Sequence, residues 1–243
     1  MKMKRNFNNY FLSLLLSLPV FQLEAQITAG KITYERKTNL YKKFTGDSKD
    51  WIKEKDKTKI DTFELYFNDT LSVFKPQESE LVEKFSWTTR KNTVYQNFKT
   101  NKCLSIKDIW GEKLYVSDTL RKRTWKITDS HRSIGGFNCR KAIWQVNDTS
   151  RIYAWYADGI MVNTGPESFN GLPGMILGLA TEDGGIIYFA KTVELSKPEA
   201  TQLTVPKTKE KIYTTTELRK KLEENYGKEK WGKEMIKETF DVW

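Results

Sequence analysis

The sequence is poor in the residue types from which catalytic and metal sites are most often built. Its 243 residues include one histidine and two cysteines. A Ser-His-Asp or Cys-His arrangement would depend on His131, which lies in a polar stretch, residues 129–135, that we predict to be a surface turn. Zinc sites usually take three or four ligands from His, Cys and carboxylates, which this set does not supply. We therefore predict no metal site and no catalytic residue, and we favour a protein that is not an enzyme.

The common phosphate- and calcium-binding motifs are missing as well. The chain has no G-x-x-x-x-G-K-[ST], no G-x-G-x-x-G between a strand and a helix, and no D-x-[DN]-x-[DN]-G loop. We predict that it uses no cofactor. A hydrolase that works with two carboxylates stays open, because the chain has 31 acidic residues and none of them stands out as a pair.

Long apolar runs are absent except near the start of the chain. Lys2, Lys4 and Arg5 precede the apolar run 11–21, and Ala25 offers a small residue for cleavage before Gln26. The run is shorter than the roughly 20 residues that span a bilayer. We predict that residues 1–25 are a signal peptide. The protein is then expected in the periplasm or on the periplasmic face of the outer membrane rather than in the medium. A buried N-terminal strand is the alternative.

Export changes the interpretation of the two cysteines. An oxidising compartment permits a disulfide bond between Cys103 and Cys139. Closing that loop would stabilise the fold by roughly 4 kcal/mol in the chain-entropy model. Two buried free thiols are the alternative, and we favour the disulfide.

The charge of the chain is strongly positive. Lys and Arg number 41 against 31 acidic residues, which gives a formal net charge of +10. Loss of residues 1–25, with three basic and one acidic residue, would leave +8. Such a charge attracts anionic partners. For an exported protein we expect an anionic envelope surface or an outer-membrane transporter, and no nucleic acid. The alternative is that the charge serves solubility alone.

Short alternating segments bounded by turn residues dominate residues 26–206 and are typical of an antiparallel sheet. We predict strands at residues 31–37, 62–67, 71–74, 93–98, 102–106, 113–116, 123–127, 139–145, 151–156, 175–180 and 186–193. Residues 207–243 form a basic tail, in which a capping box at 214–217 precedes one amphipathic helix and residues 228–240 form a second. The predicted fold is mainly β: a single curved antiparallel sheet or half-barrel, similar by analogy to periplasmic lipoprotein carriers, with a short C-terminal helical tail.

A loop rich in glycine and proline, residues 165–175, is the most unusual stretch of the chain. Pro166 and Pro173 fix one backbone angle each. Gly165, Gly171 and Gly174 permit conformations closed to other residues. Pro173-Gly174 is the pair that favours a type II turn. We expect a rigid loop that leads directly into a buried strand.

Apolar and aromatic residues surround this loop in the sequence. Binding sites often combine aromatic side chains with an apolar concavity. We predict such a site for an apolar or lipid-like ligand, formed by Trp155, Tyr156, Phe169, Leu172, Pro173 and Met175. Ordinary core packing would explain the same residues and is the alternative.

Three segments of the second half, CRKAIW (139–144), YAWYADGI (153–160) and GPESFNGLPGMILGL (165–179), resemble the GLPGLI family of exported bacterial proteins. The stretches ITYE, LYFNDTLSVF and TWKITD are similar to its N-terminal half. Met175 stands where the family name has leucine, and Gly159 and Met161 also depart from the common pattern. The resemblance implies a β-rich exported protein. It implies no activity, and no catalytic residue can be transferred from it.

We therefore expect an envelope binding or accessory protein whose loop gates an apolar concavity. The first alternative is a carboxylate-type hydrolase that acts on envelope glycan or peptide. The second is an outer-membrane barrel or a subunit of an outer-membrane transporter.

Overall fold

The structure is a computed structural model that describes residues 26–44, 46–78, 84–109 and 111–240. The predicted signal peptide, residues 1–25, lies outside the described residues.

Twelve strands are present in the described part of the chain. They are β1 (Gly30–Asn39), β2 (Thr58–Phe67), β3 (Leu71–Pro76), β4 (Thr93–Asn97), β5 (Lys102–Ile109), β6 (Glu112–Thr119), β7 (Lys126–Ile134), β8 (Phe137–Asn147), β9 (Ser150–Ala157), β10 (Met175–Thr181), β11 (Ile186–Glu194) and β12 (Ile212–Tyr213).

All twelve strands belong to one sheet, in the order β12-β6-β5-β4-β3-β2-β1-β11-β10-β9-β8-β7. Neighbouring strands are antiparallel, except that β12 runs parallel to β6. The sheet is not closed, since β12 and β7 form its two edges. The predicted fold class, a mainly β single sheet with helices near the C-terminus, is confirmed.

The alternation of side chains along each strand explains which face is buried. On β1, Ile32 and Tyr34 are fully buried, while Thr33 between them is half-buried. β10 is buried on both faces from Met175 to Ala180, as expected for a central strand with cover on each side. Each fully buried large apolar side chain contributes about 1.5–3 kcal/mol to folding.

Three α-helices are present in the described part of the chain. They are α1 (Leu40–Lys43), α2 (Thr215–Tyr226) and α3 (Lys230–Phe240). The capping box predicted for α2 is present, because Thr214 accepts a hydrogen bond from the backbone of Glu217 and the Glu217 side chain accepts one from the backbone of Thr214. Leu218, Leu222 and Ile236 of these helices pack with side chains of β5 and β6. None of the described helices is long and apolar enough to cross a membrane.

Two predictions are corrected here. Cys103 and Cys139 are buried free thiols, not a disulfide. They lie on β5 and β8, with seven strands between them in the order of the sheet. His131 does not lie in a turn but in strand β7. This strand is polar because it is an edge of the sheet and nearly all of its side chains are exposed, so the alternation of apolar residues is missing.

Candidate functional site

The loop between β9 and β10 is held by hydrogen bonds from side chains on other elements. The bonds run from Arg123 Nη1 to Ser168 O (3.0 Å), from Trp125 Nε1 to Asn170 O (2.9 Å) and from Tyr188 Oη to Glu167 Oε1 (2.8 Å). Because these donors come from two separate parts of the chain, the loop depends on the folded sheet for its conformation.

The loop contains a glycine at a position that no other residue can occupy without a shift. Gly174 has a φ of 152°, and a Cβ there would lie 2.2 Å from the carbonyl oxygen of Ala157. The predicted type II turn is wrong in detail. Met175 N donates to Ile160 O (3.1 Å) rather than to Leu172 O, and Gly174 N donates to Leu172 O (2.8 Å).

Four of the six predicted ligand residues, Tyr156, Phe169, Leu172 and Met175, are buried in the main core cluster. Trp155 is half-buried and its ring lies 6.4 Å from that of Phe189, and Pro173 is exposed. Phe169 alone among the six lines a cavity.

That cavity has a volume of about 1460 Å³ and lies beside the loop. Its lining comes from distant strands, including Cys103, Ser105 and Lys107 of β5 and Ile152 of β9. Since β5 and β9 are far apart in the order of the sheet, the sheet must curve around the cavity. The loop contributes residues 167–169, and α3 contributes residues that include Trp231 and Phe240. We refer to this space as the sheet cavity.

The lining of the sheet cavity combines apolar residues with charged ones, and the charged residues are mainly basic. Ten basic and six acidic residues line it. Such an excess in a partly enclosed space attracts anions more strongly than the same charges would on an open surface. A cavity thus lies beside the loop, but five of the six residues predicted to form an apolar site do not line it, and its charged lining was not expected.

One wall of the sheet cavity carries a buried ion-pair network. Arg36 Nη2 lies 2.8 Å from Asp61 Oδ2, and Lys59 Nζ lies 2.6 Å from Asp61 Oδ1. Arg36 Nη1 lies 3.9 Å from Glu167 Oε1, which joins the loop to the network. Burial opposes the charge of Asp61, but Arg36 and Lys59 outweigh it, so the pKa of Asp61 is lowered. The network holds these charged side chains in place at one side of the cavity.

Sequence reasoning did not select these residues, although alternation could have indicated them. Arg36 is on the same face of β1 as Ile32 and Tyr34, and Asp61 is on the same face of β2 as Phe63. A charged residue at a position that continues a buried face is the signal that was missed.

Buried polar atoms without hydrogen-bond partners are concentrated at the sheet cavity. Among the described residues, six have such side-chain atoms, and five of them line this cavity: Arg36, Thr38, Arg90, Asn92 and Arg123. Arg140 is the sixth and does not line it. An unpartnered buried polar group costs about 1–3 kcal/mol, so such groups normally meet solvent or a ligand.

Comparison with known proteins gives a family match over part of the chain. Residues 144–178, from the end of β8 into β10, match the model of a family described as "Protein of unknown function (Porph_ging)". No curated protein matches the chain.

Solved structures with a similar fold include two crystal forms of one protein, "Structure of PNGF-II" in space groups C2 and P21. Each has a TM-score of 0.53 and 18% identity, and the matches cover 77% and 76% of this chain. The chain spans 31% of the length of those proteins. An uncharacterised conserved protein from Thermus thermophilus also matches, with 7% identity, a TM-score of 0.42 and coverage of 77% of this chain and 91% of that one. The PNGF-II likeness is one of fold. The family match rests on a segment that contains the whole glycine- and proline-rich loop, residues 165–175.

Proposed function

We propose that this protein is an exported binding protein of the bacterial cell envelope, without catalytic activity, that takes its ligand in the sheet cavity. The observation that supports this most is the concentration of unpartnered buried polar atoms on that one surface. A core under no functional demand would satisfy such atoms or replace them by apolar groups.

Membership of the GLPGLI family is part of the proposal. The string GPESFNGLPGMILGL at residues 165–179 carries the resemblance, and all but its last residue lies within the matched range 144–178. The basic excess of the chain supports a position at an anionic envelope surface, where an outer-membrane transporter could receive or deliver the ligand.

The dimensions and lining of the cavity favour an amphipathic anion over a purely apolar ligand. Small-molecule sites commonly measure about 300–1,000 Å³, so a volume of about 1460 Å³ accommodates a large ligand or a smaller one with water. Trp231 and Phe240 offer apolar surface, while the basic residues of the lining offer charge. A lipid-like molecule with an acidic group fits both features.

A carboxylate-type hydrolase receives less support. A general acid needs a raised pKa so that it holds its proton at neutral pH. Beside the cavity, the pKa of Asp61 is lowered by its ion pairs despite burial. The pKa of Asp183 is also lowered, because hydrogen bonds from Thr181 and Gly185 outweigh its burial. Both carboxylates are thus suited to holding charge rather than to donating a proton.

A cavity-filling variant tests the proposal. Ser105→Trp places an indole in the cavity, and Ser133→Trp is the matched control on the exposed face of β7. The probe is anilinonaphthalene sulfonate, an anionic aromatic dye, titrated by fluorescence against folded protein. We expect at least about a tenfold loss of affinity in Ser105→Trp and none in Ser133→Trp. Equal affinity in wild type and Ser105→Trp would contradict the proposal.

A further inference from the structure

Arg123 stands out among the residues that line the sheet cavity. Its side chain is 8% exposed, and its guanidinium packs against the rings of Trp144 and Phe169, with Cζ 5.2 and 4.3 Å from the ring centres. Nη1 donates to Ser168 O at 3.0 Å. Within the described residues, Nε and Nη2 have no hydrogen-bond partner.

The two unpartnered nitrogens define one edge of the guanidinium. Nε and Nη2 carry N–H bonds that point the same way, and this is an edge by which arginine binds a carboxylate or phosphate through two parallel hydrogen bonds. The aromatic rings and the bond to Ser168 fix the plane and rotation of the group, so that the free edge is held in one orientation. Its unsatisfied donors would be costly unless an acceptor reaches them.

The charge around Arg123 is also uncompensated. Arg121 lines the same cavity, and its guanidinium lies 5.0 Å from the ring centre of Trp144. Among the described ion pairs, neither arginine has a carboxylate partner. Burial, and after it the charge of Arg121, lower the pKa of Arg123 to about 10. The side chain therefore stays protonated at neutral pH, and the two cations repel one another when no anion is present.

From this arrangement we infer that the Nε and Nη2 edge of Arg123 is the binding site for the acidic group, a phosphate or a carboxylate, of the ligand in the sheet cavity. The inference rests on the proposed function and assigns the chemical class of the ligand's head group. Arg121 contributes charge from the same side. Cys103 also lines this cavity.

The test measures binding of three probes by isothermal titration calorimetry: octyl phosphate and octanoate, each below its micelle concentration, and inorganic phosphate. Arg123→Lys keeps the charge but removes the two-nitrogen edge. Arg140→Lys is the matched control, because Arg140 also has an unpartnered buried Nε but does not line the cavity. We expect Arg123→Lys to weaken binding by about tenfold to a hundredfold and Arg140→Lys to leave it unchanged, since hydrogen bonds to charged groups contribute about 1.5–3 kcal/mol.

The outcomes distinguish a failure of the Arg123 site from a failure of the cavity as a binding site. Tighter binding of the octyl compounds than of inorganic phosphate would identify the acidic end of an amphiphile, and equal binding would identify a free anion. Wild-type affinity in folded Arg123→Lys, with binding still abolished in Ser105→Trp, would overturn the Arg123 site and leave the proposed function intact. A lack of binding of all three probes to the wild type at millimolar concentration would also overturn it.

A second measurement does not depend on whether the variant folds. A crystal structure of the wild-type protein with octyl phosphate should place two phosphate oxygens within hydrogen-bond distance of Nε and Nη2 of Arg123. Phosphate bound elsewhere in the cavity would overturn the inference.

Discussion

Arg123 and Ser168, 45 residues apart in the sequence, are joined by a hydrogen bond of 3.0 Å from the guanidinium to the backbone carbonyl. The bond connects the segment before β7 to the glycine- and proline-rich loop at the wall of the sheet cavity. It occupies Nη1 of Arg123, while Nε and Nη2 have no hydrogen-bond partner among the described residues. The loop is thus both a structural element and one side of the proposed binding site.

Substitution of Gly174 tests the rigidity of the loop. Gly174→Ala should lower the free energy of unfolding by more than about 3 kcal/mol, because the new Cβ would meet the backbone of Ala157 at 2.2 Å in a conformation unfavourable for alanine. Gly136→Ala is the control, since Gly136 has a φ of 84° but nothing within 4 Å of a Cβ. Gly136→Ala should lower the free energy of unfolding by only about 1–2 kcal/mol. Urea denaturation measures both, and similar losses would contradict the close approach.

The stability of the buried ion-pair network should depend on Asp61. Asp61→Asn removes the negative charge that pairs with Arg36 and Lys59 and should destabilise the fold by about 3–5 kcal/mol in chemical denaturation at pH 7. The exposed Asp148, changed to Asn, serves as control and should cost less than about 0.5 kcal/mol. A loss in Asp61→Asn no larger than in the control would show that the network contributes nothing.

The same carboxylate gives stability a dependence on acid. Because the pKa of Asp61 is lowered in the folded protein, its contribution is present above its ordinary value near 4 and is lost as the pH falls below that value. The free energy of unfolding of the wild type should therefore decrease more steeply below pH 4 than that of Asp61→Asn. Parallel curves for the two proteins would contradict this assignment.

Alkaline pH should destabilise the protein through the buried core. Burial raises the pKa of Cys139 to about 11 and raises that of Tyr34 well above its ordinary value. These groups stay protonated in the fold and ionise more readily when unfolded, so their stabilising effect is complete below about pH 9 and declines as the pH rises toward 11. The slope should approach about 1.4 kcal/mol per pH unit for each group. Cys139→Ala should reduce the slope, and an unchanged slope would argue against its burial as a thiol.

The two cysteines should titrate as free thiols. Protein unfolded in denaturant without reductant should react with two equivalents of a thiol reagent, because Cys103 and Cys139 are unbridged. The folded protein should react slowly at pH 8, where burial keeps both thiols protonated. Absence of reactive thiol in the unfolded protein would restore the disulfide that the sequence suggested.

Much of the sheet could be predicted from alternation, and the exceptions have physical causes. Buried side chains at every second residue mark β1 and β2, and the capping box at Thr214 marks the start of α2. Most of strand β7 cannot be predicted in this way, because an edge strand with nearly all side chains exposed has no alternation of apolar and polar residues. The disulfide was predicted from the expected export and the number of cysteines, because the sequence does not show that seven strands of the sheet separate β5 from β8.

The candidate site was harder to predict than the fold. The loop was recognised from its glycines and prolines, but the chemical character of the space beside it depends on residues brought together by the curvature of the sheet. Arg123 and Ser105 are separated from Phe169 by many residues and carry no local motif. Their relation to one cavity exists only in the folded chain.

Native mass spectrometry of the protein isolated from the organism that makes it, without added ligand, tests the central claim most directly. The account predicts that wild-type protein retains a molecule of defined mass bearing an acidic group, and that Ser105→Trp prepared in the same way lacks it. Bare protein in both samples, or the same bound mass in both, would contradict a ligand site in the sheet cavity.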